Sequence, residues 1–182
     1  NERQKSQIAV EKKNSVTKEA LEGVVFGLYA GEDIKNMQGK VVVEKDTLLE
    51  TKATDQEGRL TFESDLWHGH YYVKEDQHLP GYLPNDEIWE IDATYEDQNL
   101  PAILLEKEVE NQPTESYFTK TDIVTGEPVE GAKLQILDEE GTVVREWITT
   151  KEEHLEYALP AGNYILHEEL PPLEDGYVSA ED

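Results

Sequence analysis

Two lysines, Lys12 and Lys120, stand 108 residues apart in matching surroundings. Alternate residues of an extended strand share a face. Lys12 therefore lies with Ile8 and Val10, and Lys120 lies with Phe118, so both point where the apolar side chains point. An amine held among apolar groups is costly as a cation, and burial favours its neutral, nucleophilic form. Two glutamates recur as regularly: Glu75 and Glu168 each follow a glycine, Gly69 or Gly162, by six residues. The reading without chemistry is a solvated edge strand, with Lys13 competing for the inward place.

Other candidates are weaker. His68 and His70 share a strand face, a geometry suited to a metal, but no third ligand is evident, so a place on a turn rim is expected and no metal. Trp67, Trp89 and Trp147 are candidates for a sugar-binding platform, although tryptophans in thin β-modules more often serve packing. No D-x-[DN]-x-[DN]-G calcium loop, phosphate-binding loop or nucleophile elbow occurs, and no carboxylate pair stands out as a glycosidase dyad. No turnover enzyme and no cofactor is expected.

These groups must be positioned by a chain of 182 residues that is 37% hydrophobic and has 41 acidic against 16 basic residues, a formal charge of -25. Such charge keeps a surface solvated and repels nucleic acid and anionic membranes. No apolar run reaches the length of a membrane span. There is no cysteine, so neither disulfides nor thiolate metal sites are available to staple a small β-domain. The first and last residues read as the ends of a fragment, which leaves targeting and anchoring signals to the parent chain.

The chain repeats itself. Leu21-Glu22-Gly23 follows Lys12 as Val129-Glu130-Gly131 follows Lys120, and Val24 to Tyr29 then matches Ala132 to Leu137 at the same offset of 108. Downstream, Gly69-His70-Tyr71-Tyr72 matches Gly162-Asn163-Tyr164-Ile165 at an offset of 93. The first copy is therefore longer in its middle, and a longer hairpin is expected around Asp33 to Glu50. Pro80-Gly81-Tyr82 and Asp175-Gly176-Tyr177 close the two copies. Alternation at Lys133 to Ile136, and turn signals at Asp55 to Gly58, Asp138 to Gly141 and Pro160 to Gly162, predict short strands. No helix is predicted beyond one turn at Val16 to Leu21. Glu110 to Glu115 is polar and broken by proline, which places a boundary there. The expected fold is all-β: two tandem immunoglobulin-like or prealbumin-like β-sandwich modules.

The run from Lys120-Thr-Asp through Gly-Glu-Pro-Val-Glu-Gly to Ala132 resembles the start of a SpaA-like prealbumin-fold module, related to the Cna B-type domains. Leu159-Pro-Ala-Gly-Asn-Tyr-Ile-Leu-His-Glu168, continuing through Pro171-Pro172 to Gly176-Tyr177, resembles a later segment of that family. The first copy is similar through Gly69, Tyr71, Glu75, Pro80-Gly81-Tyr82 and Glu110-Asn111-Gln112-Pro113. The resemblance divides the chain into modules 1–113 and 114–182, the second lacking its last strand.

It also implies a role. Such modules form stalks of Gram-positive pilins and adhesins, and many carry an internal amide joining a first-strand lysine to a last-strand asparagine or aspartate with help from a buried glutamate. Carried over, the first module offers Lys12, Glu75 and Asn111, and the second offers Lys120 and Glu168 without an acceptor. Asn111 shares a strand face with Ile103, Leu105 and Val109. Lys107 shares that face too, an irregularity that a bulge or an edge position would explain. The implied protein is a monomeric, extracellular, wall-anchored stalk whose partners are neighbouring modules of its own chain. The alternatives are an adhesin module that binds a host protein or glycan, and an accessory domain of a secreted enzyme.

Overall fold

The computed structural model describes residues 3–93 and 103–169, which form no helix. The chain divides into two compact units, Asn1–Pro113 and Thr114–Asp182. In the first, the strands are β1 (Arg3–Asn14), β2 (Val25–Ala30), β3 (Ile34–Lys35), β4 (Val41–Val43), β5 (Leu48–Ala53), β6 (Arg59–Phe62), β7 (Asp65–Trp67), β8 (His70–Gln77), β9 (Ile88–Asp92) and β10 (Ile103–Asn111). One sheet has the order β10-β1-β6, with β7 also paired to β1, and the other has the order β5-β2-β8-β9.

The two sheets share one core. Ile8, Val10, Leu60, Phe62, Leu66 and Val109 come from the first, and Phe26, Leu28, Tyr71, Val73 and Ile91 from the second. Strand β1 shows why: its even-numbered residues are buried from Gln4 to Asn14 while the odd ones stay at least partly exposed, the pattern of a strand with one covered face. Burying such aliphatic and aromatic side chains stabilises by about 1.5–3 kcal/mol each. The extra residues expected between Asp33 and Glu50 form the small hairpin β3-β4, inserted between two paired strands.

The first and last strands of this unit are parallel neighbours. Their register runs without a shift from Ser6 opposite Ile103 to Asn14 opposite Asn111. No bulge therefore interrupts β10, which corrects one explanation offered for Lys107. The other holds, since β10 is the edge strand of its sheet among the described residues.

The second unit contains β11 (Glu115–Phe118), β12 (Lys133–Leu137), β13 (Val143–Ile148), β14 (His154–Tyr157) and β15 (Ile165–Glu169). The order β13-β12-β15 reproduces β5-β2-β8, and the pair β11-β14 reproduces β1-β6. Its described core is small: Leu134, Ile136 and Trp147, with Phe118 and Tyr164 packed against them. The expected absence of a last strand here concerns residues outside those described.

Candidate functional site

Lys12 lies near the end of β1 and is completely buried. Its backbone is fixed from both sides: its N–H donates to the Gly58 carbonyl at 2.7 Å, and its own carbonyl accepts from Leu21 at 3.0 Å. Asn111, the last residue of β10, is 1% exposed. In the parallel register Lys12 is opposite Val109, so Asn111 is its diagonal neighbour on the same inward face.

Glu75 arrives from the opposite sheet. Strand β8 buries Tyr71 and Val73, and Glu75 continues that alternation with a side chain only 3% exposed. It pairs with Phe26 on β2, where the register shifts between Val25 and Phe26. The irregularity ends the regular pairing of β2 and β8 beside the carboxyl group; bulges commonly re-aim side chains in this way.

The three side chains close a triangle. The Lys12 Nζ donates to Asn111 Oδ1 at 2.7 Å. The Asn111 Nδ2 donates to Glu75 Oε1 at 2.9 Å. Glu75 Oε2 lies 2.9 Å from the Lys12 Nζ and has no other partner. The Phe26 ring stands 5.5 Å from the amine. Burial drives the Lys12 pKa below its ordinary value of 10.5, and Glu75, Glu87 and Glu110 oppose that shift only in part. The arrangement sets an amine whose neutral form is favoured against an amide carbonyl, with a carboxyl group touching both the attacking and the potential leaving nitrogen.

The second unit builds part of the same arrangement. Lys120 lies just beyond β11, and its carbonyl accepts from Val129 at 2.9 Å as that of Lys12 does from Leu21. Glu168 pairs with Leu134 on β12, the counterpart of Phe26 opposite Glu75. Lys120 Nζ donates to Glu168 Oε2 at 2.7 Å, but the lysine side chain is 25% exposed. No acceptor completes the pair among the described residues.

The remaining candidates fall elsewhere. His70 stands 3.8 Å from Asp92, and the described residues contain no group of three or more His, Cys, Asp or Glu side chains placed for a metal. Trp67 lies under the Arg3 guanidinium at 4.6 Å on β7, and Trp89 packs on the core from β9. Trp147 stacks on His154 at 4.3 Å in the other unit. Each tryptophan is thus engaged by neighbours within its own unit.

Two features escaped the sequence reading. Glu87 approaches the site from the loop before β9 and pairs with Lys107. Thr54 and Thr149 are buried threonines in equivalent places: each hydroxyl accepts from a backbone N–H, that of Val24 or Ala132, at 3.0 Å. The signal for the second pair was present in the repeat, but the inserted hairpin displaces Thr54 from the first offset.

A family model described as SpaA, prealbumin-like fold domain, matches residues 6–107 and again 115–182. No curated protein matches. Among solved structures, the Bacillus anthracis TIE protein is similar at 22% identity and a TM-score of 0.55, over 98% of this chain and 30% of that one. A streptococcal ancillary pilin is similar at 22% identity and a TM-score of 0.43, over 97% of this chain and 56% of that one. BcpA, the major pilin subunit of Bacillus cereus, is similar at 14% identity and a TM-score of 0.42, over 98% and 94%. The chain thus spans only 30% and 56% of the first two.

Proposed function

The chain belongs to the SpaA prealbumin-like fold domain family, and from that premise we propose that it is a stalk segment of an extracellular surface protein whose first unit cross-links itself through Lys12 and Asn111. The role is structural, as in the pilin subunits that share the fold, and the only chemistry is one turnover per molecule. The supporting observation is the buried triangle, with its three contacts between 2.7 and 2.9 Å.

The step balances without a cofactor. The neutral Lys12 amine adds to Asn111 Cγ. Glu75 takes a proton from the amine at Oε2, and a proton is passed from its carboxyl group to Nδ2. The Cγ–Nδ2 bond breaks, ammonia leaves, and one amide replaces another. Packing holds the reactants at contact distance, so fixed proximity replaces an activated substrate. By analogy with the chain-entropy model for disulfides, closing a loop of about 100 residues stabilises the unit by about 4.7 kcal/mol. In a chain without cysteine, this bond supplies the missing staple.

The intact mass of the denatured chain tests the proposal. The expected mass lies ~17 Da below that of the sequence, with the deficit lost in Lys12→Ala and in Glu75→Ala. A wild-type mass equal to that of the sequence would overturn the cross-link while leaving the fold assignment in place.

A further inference from the structure

One inward side chain of β10 is not used by this reading. Lys107 has the parity of Val109 and Asn111, so an unbroken strand aims a second polar group, besides Asn111, at the core side. Its ammonium pairs with Glu87, and the two side chains are 25% and 49% exposed. With Phe26, Val73, Trp89 and Glu75 they line a cavity of about 10 Å³, in which Glu75 is the buried carboxyl and Lys107 and Glu87 are the more exposed pair. The cavity has room for about one water-sized molecule, which is also the size of ammonia.

We propose that Lys107 and Glu87 form a gate over the cross-linking site, in which Lys107 is a positioning residue that neutralises Glu87 and closes the pocket into which ammonia departs. The proposal rests on the cross-link described above. A water-excluding rim keeps the amine and carboxyl in a poorly polarisable setting, where the neutral amine is favoured.

The charges facing Lys12 make the role of Lys107 specific. Glu75 from β8 touches the amine; Glu87 from the loop before β9 and Glu110 from β10 act at longer range, and all three favour the ammonium form. Glu110 is engaged by Lys18 at 2.6 Å, and Glu87 by Lys107. Removing Lys107 leaves Glu87 uncompensated, which favours the protonated and unreactive Lys12. At a fixed pH below the pKa, any rise in the Lys12 pKa lowers the neutral, reactive fraction.

Timed synthesis of the full chain in a cell-free system, quenched in denaturant and read by intact mass, follows the reaction in the wild type and variants. Lys107→Met is expected to slow loss of ammonia and to move the pH–rate profile upward. Glu87→Gln is expected to move it downward, Lys107→Arg to restore the wild-type profile, and Lys107→Met with Glu87→Gln to recover most of the rate. A wild type that never loses ammonia overturns the cross-link itself. A cross-linking wild type with an unchanged Lys107→Met profile overturns the gate. So does a Lys107→Met defect that Glu87→Gln fails to relieve, because Lys107 would then be needed for folding rather than for charge compensation.

Discussion

At the scale of single residues, the chemistry is carried by a lysine that the fold will not solvate. Lys12 and Glu75 were legible because both recur in register with their counterparts, Lys120 and Glu168. Asn111 needed the family resemblance, since the matching position in the second copy is outside the sequence pattern. Lys107 was visible only as a residue of the wrong polarity on an apolar face, and Glu87 not at all, because its loop has no periodicity from which to read a direction. Protonation offers a direct check. In Asn111→Ala, which has no acceptor, Lys12 remains buried with a folded-state pKa below 10.5. Between that lowered value and 10.5 the unfolded chain binds a proton that the folded chain lacks, so stability rises with pH across the interval. Denaturation midpoints should climb there, and adding Lys12→Met should flatten the climb. The difference between the two variants isolates Lys12 from Lys13, whose pKa is raised by its hydrogen bond to Glu108 and which acts with the opposite sign. Parallel pH profiles for the two variants would refute a neutral buried amine.

At the scale of elements, the duplication extends to the turns. The Asn14 Oδ1 accepts from Val16 and Thr17 at 2.8 and 3.1 Å, and Asp122 Oδ1 accepts from Val124 and Thr125 at 2.8 Å each. The turn ends in a left-handed residue in both copies, Lys18 at φ 63° and Gly126 at φ 76°. The sequence showed Gly126 but not its equivalence to a lysine, since only φ is shared. Glycine matters differently at Gly58, where φ is +73° and an added Cβ would overlap the Lys12 carbonyl oxygen. At Gly126 a Cβ would meet nothing within 4 Å. Gly126→Ala should therefore cost only the conformational term, about 1–2 kcal/mol. Gly58→Ala should cost more, and should also lower the fraction of cross-linked chain by displacing β1 at the reactive residue. Chemical denaturation and intact mass together check this, and equal costs at the two glycines would refute the steric account.

At the scale of the whole molecule, the all-β class and the two-part division were legible from repeat spacing and turn signals, because strand alternation and glycine-marked turns are local properties. The adjacency of β1 and β10 entered only through the family resemblance, and its parallel sense not at all, since pairing between residues about a hundred positions apart leaves no local trace. Its consequence is mechanical. Parallel first and last strands let the chain enter the first unit at one end and leave at the other, so tension along the chain runs through the unit lengthwise. With an amide between Lys12 and Asn111, the load passes along β1, crosses to β10 and exits at once. The intervening segment, from a sequence separation of 99 residues, then lies outside the load path and about 330 Å of chain cannot be drawn out. Single-molecule stretching should show that length released from the first unit of Lys12→Ala and withheld by the wild type, and release of the same length from both would place the load elsewhere. Under pull, the unit would behave as an inextensible link whose hydrophobic core is spared the force.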